Sequence, residues 1–378
     1  MVNLKRAITQ NLLNIPGWRT NRKIVVIESD DWGSIRMPSK NVYDKLKRQG
    51  YPVDDCPYMK FDALASNNDL HAMYEVLTRY IDKNGKHPVI TANAVMANPN
   101  FASIEKEQYQ EYHYELFTET LKQYTSHDNA FDLWKEGIGV KIFHPQFHGR
   151  EHLNVDQWLK GLQRGEKHQL RAFKNRMISI TGVNEGTRFD FMEALDYYTE
   201  SEYEHKATIL QEGMDLFEKQ FGYRSKSFIA NCYIWNQKNE DALQSKGVEY
   251  IQGIPNQIQP KLNNKGHSYL YKKHYLGERN ANEQRYLIRN AHFEPSQQPG
   301  ADVVSECLRR IGIAFRWNKP AIISAHRLNF IGYIDERNRH DNLKMLDTLL
   351  KNILKQWPGV EFMTSDQLGD LIKYGERN

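Results

Sequence analysis

With 378 residues, 40% hydrophobic and 26% charged, the chain is long enough for one large α/β domain or two modest ones. The net charge of +4 comes from 51 basic and 47 acidic residues that are interspersed. The basic clusters at Lys5-Arg6, Arg22-Lys23 and Lys272-Lys273 are short and read as solvated faces, so no nucleic-acid partner is expected. Cys56, Cys232 and Cys307 are scattered, which excludes a CxxC-type zinc site and argues against a disulfide framework. No stretch approaches the roughly 18 apolar residues of a membrane span, and residues 1–18 lack a secretion-type apolar core. A cytoplasmic protein is therefore expected.

The first element is the apolar run 24–27, a buried strand that leads into Glu28-Ser29-Asp30-Asp31-Trp32-Gly33-Ser34. Two adjacent carboxylates at a strand end repel each other unless a cation or shared proton holds them, so Asp30 and Asp31 are metal or acid/base candidates. Taken alone, such a pair serves equally well as a helix cap. Glu28 falls on the strand face opposite Ser29, a position for a buried partner of that site. Helices are expected over 41–48, 66–82 and 103–124, with a strand over 89–95 between them. Asn93, near the end of that strand, points to the same rim and is a candidate donor to substrate. Residues 37–139 hold this one strand candidate, which implies a helical elaboration there.

A further strand, 140–143, ends in His144-Pro145-Gln146-Phe147-His148-Gly149-Arg150-Glu151-His152. If Pro145 opens a helical turn, His144 and His148 lie four apart on one face, a common zinc pair. His152 continues that face as a spare ligand, a supporting group or a bystander. Helical patterns follow over 155–175, 191–221, 237–246, 303–317 and 342–357. Strand patterns alternate with them at 227–233, 248–254, 286–288, 321–325 and 360–363. Tyr233 and Trp235 lie at one strand end, where they either pack in the core or stack on a substrate face. The strand 321–325 ends in His326-Arg327. Alternating strands and amphipathic segments without a Pro/Gly/Ser-rich linker predict a single domain over 1–378, a closed or nearly closed β/α barrel of about seven or eight units. A doubly wound open sheet is the alternative. In such folds the strand C-termini share one face, so Asp30/Asp31, His144/His148 and His326 would meet.

In this order of motifs the chain resembles the NodB-type polysaccharide deacetylases of the carbohydrate esterase 4 superfamily. That resemblance implies a deformed (β/α)7-type barrel, here with helical insertions, and a metal-dependent hydrolase that removes an acetyl group from an acetylated sugar or polysaccharide precursor. It implies Asp31, His144 and His148 as ligands of Zn2+ or another divalent ion, Asp30 as general base and His326 as general acid. Three features depart from the family: Pro145 stands where a Ser or Thr usually follows the first His of its HxxxH motif, which changes the loop cap but spares the ligands. The Arg that braces its catalytic Asp is missing from the stretch 228–233, leaving Arg150 or Arg327 as substitutes beside the substrate. The acidic partner of its catalytic His is absent at 251–253, where Glu294 is the replacement candidate.

Other readings of the same residues are an Fe(II) oxygenase, a glycoside hydrolase using Asp30 and Glu294, and a catalytically impaired carbohydrate-binding relative. The adjacent Asp30 and the distal His326 speak for hydrolysis, because an oxygenase needs no such acid/base pair. A cytoplasmic setting favours a nucleotide-linked, lipid-linked or small sugar precursor as partner.

Overall fold

The computed structural model describes residues 4–183, 186–263 and 266–375. Its centre is a nine-stranded sheet in which every pairing is parallel. The strands are β1 (Lys23–Trp32), β2 (Ile90–Ala94), β3 (Phe143–Phe147), β4 (Ser227–Ile229), β5 (Tyr250–Gly253), β6 (Arg285–Ile288), β7 (Ala291–His292), β8 (Ala321–His326) and β9 (Val360–Met363). Their spatial order is β6-β5-β4-β3-β2-β1-β8-β7, with β9 added beside the start of β1.

β6 and β7 occupy opposite ends of that order, yet only Arg289 and Asn290 separate them in the chain. The first half of this segment pairs with β5 and the second half with β8, so the two sheet edges are brought together. Counted as one strand, β6 and β7 complete a ring of seven, a (β/α)7-type barrel. Asn290 covers the break by donating its backbone N–H to the Ile322 carbonyl and accepting the Ile322 N–H on its side chain, at 3.1 and 2.9 Å.

Alternation along the strands divides the interior into two layers. Ile24 and Val26 of β1 pack with Tyr250, Leu276, Leu287, Ile322 and Leu368 in one buried apolar cluster. Each such side chain is worth about 1.5–3 kcal/mol when fully buried. Two and four residues further along the same face of β1 come Glu28 and Asp30, which are buried and charged. The second, larger apolar cluster lies between the sheet and its surrounding helices. Among the described residues, no helix is long and apolar enough to cross a membrane.

Several elements differ from the sequence expectation for identifiable reasons. The strand expected at 140–143 lies at Phe143–Phe147, because the helix Ala130–Gly139 runs up to it and Lys141 turns at a φ of 62°. Pro145 is accommodated within the strand opposite Ala92 and opens no helical turn. The helix expected over 103–124 stops at Lys106, where Gln108 and Tyr109 adopt positive φ. A short strand, Tyr114–Leu116, and the helix Phe117–Leu121 follow. The helix 155–175 is divided at Gly165 into Val155–Gln163 and Lys167–Lys174. The long helix begins at Glu200, capped by the Thr199 side chain, so residues 191–199 form a loop. An antiparallel ribbon, Asn256–Asn263 with Gly266–Lys273, has no counterpart among the expected elements.

β1 ends in a turn at Gly33, which has a φ of 80°. Asn98 fastens the turn by donating to the Gly33 carbonyl and accepting the Ile35 N–H, at 2.9 and 3.0 Å. A Cβ at Gly33 would stand 2.7 Å from the Val95 carbonyl oxygen. Gly33→Ala is therefore expected to cost about 1–3 kcal/mol, from left-handed strain and this clash. Urea unfolding monitored by circular dichroism checks that loss.

Candidate active site

Successive residues of a regular strand point to opposite faces. β1 avoids this at its end: its register with β2 shifts between Ser29↔Ala92 and Trp32↔Ala94, so Asp30 and Asp31 together oppose the single residue Asn93. This is a β-bulge, and Asp31 adopts a φ of 74° within it. Such a conformation is costly for a non-glycine residue and is found where surrounding contacts impose it. The two carboxylates consequently serve two neighbouring sets of partners.

Asp30 is held by Arg289 through two parallel bonds, Nη1 to Oδ2 and Nη2 to Oδ1, both 2.6 Å. The same guanidinium donates Nε to Glu28 Oε2 at 2.6 Å, and Ser365 donates to the other Glu28 oxygen at 2.8 Å. Asn93 donates to Asp30 Oδ1 at 2.8 Å. Burial alone would raise the pKa of Asp30, but Arg289 overrides it and holds the carboxyl down to about 2. For Glu28 burial wins, and its pKa stays above the ordinary value.

In the parallel register Asp30 lies directly across from His326 on β8, with His326 Nε2 3.8 Å from Asp30 Oδ2. His326 Nδ1 lies 2.5 Å from Glu294 Oε1. The other Glu294 oxygen accepts from Gln297 at 2.9 Å and from Asn329 at 2.7 Å, so this carboxylate is fully occupied. Burial would lower the pKa of His326, but Glu294, with help from Asp30, pushes it up to about 9. His326 is therefore an imidazolium at neutral pH.

Asp31 faces the other way along the rim. Its Oδ1 lies 3.4 Å from His148 Nε2 and 3.2 Å from His152 Nε2, and one donor atom from each residue falls within 4.8 Å of the others. These residues fit a divalent cation. His148 Nδ1 bonds the Ile229 carbonyl at 2.9 Å, which fixes the tautomer that leaves Nε2 as a lone-pair donor. His152 Nδ1 has no hydrogen-bond partner, and burial drives the His152 pKa down to about 4, so its imidazole is neutral, as a ligand must be. Burial raises the pKa of Asp31, but His152 and Arg36 together bring it well below the ordinary value. One carboxylate and two imidazoles are a common zinc set with room for a further ligand.

The structure departs from the expected triad at His144. Because β3 is extended through Pro145, four residues span roughly 13 Å instead of one helical turn. His144 thus lies away from Asp31, with Nε2 3.3 Å from Asp366 Oδ2 and its ring stacked on Tyr223. The relevant spacing is the overlapping His148-Gly149-Arg150-Glu151-His152, and a strand placed three residues later would have pointed to it.

The remaining candidates separate into two groups. Asn93 and Tyr233 are at the site: Asn93 is buried and orients Asp30, while the Tyr233 hydroxyl is 3.5 Å from Arg289 Nη1. Trp235 is buried and donates to Glu240 at 2.8 Å, so no face is left for a sugar. Arg150 is buried against Glu151 and Glu212. Arg327 makes two bonds to Asp62, at 3.0 and 2.9 Å, and one to the Ser34 carbonyl at 2.8 Å. Neither arginine braces Asp30. Arg289 does, and the sequence reading missed it, although it follows the strand pattern 286–288 just as His326 follows 321–325.

No protein-family model matches this sequence, and no curated protein matches it. Among solved structures, Puue allantoinase is 9% identical with a TM-score of 0.48, covering 96% of each chain. The Xyl-CE4 domain of a multidomain xylanase from the Trinervitermes trinervoides hindgut metagenome is 8% identical with a TM-score of 0.37, covering 94% of this chain and 93% of that one. A 4-alpha-glucanotransferase from Thermococcus litoralis is 8% identical with a TM-score of 0.45 over 92% of this chain. This chain spans 40% of that enzyme's length. At such distances the chemistry has to be read from this chain's own residues.

Zinc stoichiometry measured by atomic emission tests the ligand set. His152→Ala and His148→Ala are each expected to lose bound zinc, whereas His144→Ala keeps it.

Proposed function

We propose that this protein is a metal-dependent hydrolase that removes an acetyl group from an acetylated sugar or polysaccharide precursor. The observation that carries the reading is the pairing of an ionised Asp30 with a protonated His326 across one parallel register, beside the buried Asp31–His148–His152 cluster. A divalent ion held by that cluster would supply Lewis acidity toward the acyl oxygen and a nucleophilic water.

The chain's own groups supply the proton transfers. Asp30 takes the proton from the attacking water as its oxygen bonds to the acyl carbon, and Arg289 keeps this carboxylate ionised and aimed. His326 gives its Nε2 proton to the departing amine or alkoxide as the acyl bond breaks. Glu294 holds Nδ1, so the ring presents Nε2 to the site. Acetate and a free amine or hydroxyl are the products. Glycoside hydrolysis needs a second carboxyl group turned to the substrate, whereas Glu294 turns to His326, Gln297 and Asn329.

Acetate release from a panel of acetylated sugars, with and without added zinc, tests the reaction; release that is absent, or indifferent to chelation, contradicts it. Asp30→Asn should retain zinc but lose roughly 10²–10⁴-fold in turnover, the usual size of a lost general base. Activity should fall as pH rises through about 9, where His326 loses its proton. Glu294→Gln removes the charge that raises that pKa, so a pH–rate profile should show the alkaline limb moved to lower pH.

A further inference from the structure

Asn231 opens the short turn Asn231–Tyr233 that follows β4, and it is 1% exposed. Its side chain reaches the candidate metal cluster, with Nδ2 3.3 Å from His148 Nε2. That ring nitrogen is the one left with a lone pair, because His148 Nδ1 is spent on the carbonyl of Ile229, two residues before Asn231. One stretch of chain therefore attends to both ring nitrogens of His148. The amide N–H donates to the lone pair over a long distance, while the amide oxygen, Oδ1, is buried with no hydrogen-bond partner. A buried acceptor left unpaired is expensive to keep.

The surroundings of that oxygen allow the amide to turn. A Cβ on Gly149, which has a φ of 122°, would stand 3.1 Å from Asn231 Oδ1 and 3.0 Å from the Glu151 carbonyl oxygen. The glycine thus keeps this side of the amide open, and a carbonyl acceptor flanks it. A half-turn about the Cβ–Cγ bond would set Nδ2 toward the Glu151 carbonyl and Oδ1 toward His148 Nε2.

The distances match a coordination shell. Ligand atoms of a tetrahedral zinc, each about 2.0–2.1 Å from the ion, stand about 3.3 Å from one another. Asp31 Oδ1 is 3.4 Å from His148 Nε2 and 3.2 Å from His152 Nε2, and the Asn231 amide is 3.3 Å from His148 Nε2. A cation on His148 takes the lone pair and repels the N–H that now uses it. The oxygen end of the same amide is attracted.

Building on the reading of Asp31, His148 and His152 as a metal site, we propose that Asn231 is a fourth ligand of that ion, through Oδ1 after a half-turn of its side-chain amide. The turn gives the orphaned oxygen a partner and brings Nδ2 to a carbonyl. A neutral amide oxygen is a weak donor and catalytic zinc can expand to five ligands, so a position for water remains.

Zinc affinity, measured by competition with a chromophoric chelator, tests this without any turnover. Asn231→Ala should weaken binding roughly 10- to 100-fold, the scale on which close partners of a metal ion act. Asn231→Asp keeps an oxygen at the site but has no N–H, and should bind zinc at least as tightly as the wild type. Wild-type affinity in Asn231→Ala overturns the inference. So does an Asn231→Asp protein that loses as much as Asn231→Ala, because the N–H that aims His148 would then be the working end of the amide. Should the alanine variant fail to fold, a crystal of the zinc-loaded wild type decides. Oδ1 within about 2.0–2.2 Å of the zinc supports the inference, and an amide held beyond about 3 Å overturns it. Wild-type protein that takes up no zinc defeats the metal reading itself, and this inference with it.

Discussion

Arg289 lies fully buried where the two edges of the sheet meet, and Glu28 and Asp30 of β1 balance its charge. It stands at the break between β6 and β7, the segment that joins β5 to β8, so the same residue sits at the barrel's closure and braces its rim carboxylate. A buried ion cluster of this kind is weak evidence for stability, since well-packed apolar residues often do as well. What it provides is position. A bidentate guanidinium fixes the plane of the Asp30 carboxylate, and the third bond to Glu28 ties that plane to the interior of the strand.

The bulge in β1 depends on this anchoring. With Asp30 committed to Arg289 and Asn93, Asp31 at its left-handed φ is left to meet His148, His152 and Arg36. Two adjacent aspartates thereby acquire different electrostatic settings, one governed by a guanidinium and the other by imidazoles. On the far side of Asp30, Glu294 gives His326 the opposite protonation state from His152. Opposed environments for similar groups are what the proposed base, acid and ligand require of one rim at a single pH.

Much of this was legible in the chain. The buried run 24–27, the paired aspartates after it and the run 321–325 with its terminal His326 reveal three participants, because strand interiors are apolar and strand ends carry function. Glu294 was legible as a partner for His326 because it follows a strand pattern on the same rim. The histidine pair that gathers beside Asp31 lies one overlapping repeat further on than expected, since local periodicity cannot tell whether Pro145 opens a helix or lies in a strand. That choice is made by pairing with Ala92, more than fifty residues away. Arg289 was hidden for a related reason: a buried arginine looks like a surface residue until its partners, 259 and 261 positions distant, are known. The ribbon of Asn256–Asn263 with Gly266–Lys273 and the loop before Glu200 are likewise set by tertiary contacts, among them the Asp196 bonds to His267 and Tyr269.

The central claim is the division of labour between the two aspartates: Asp31 with the ligand histidines, Asp30 with Arg289. The most direct measurement is a crystal structure of the zinc-loaded protein with anomalous data at the zinc edge. The account predicts one strong peak bonded to Asp31, His148 and His152, with Asp30 still clasped by Arg289. A peak bonded to Asp30, or one shared by His144 and His148, would contradict it.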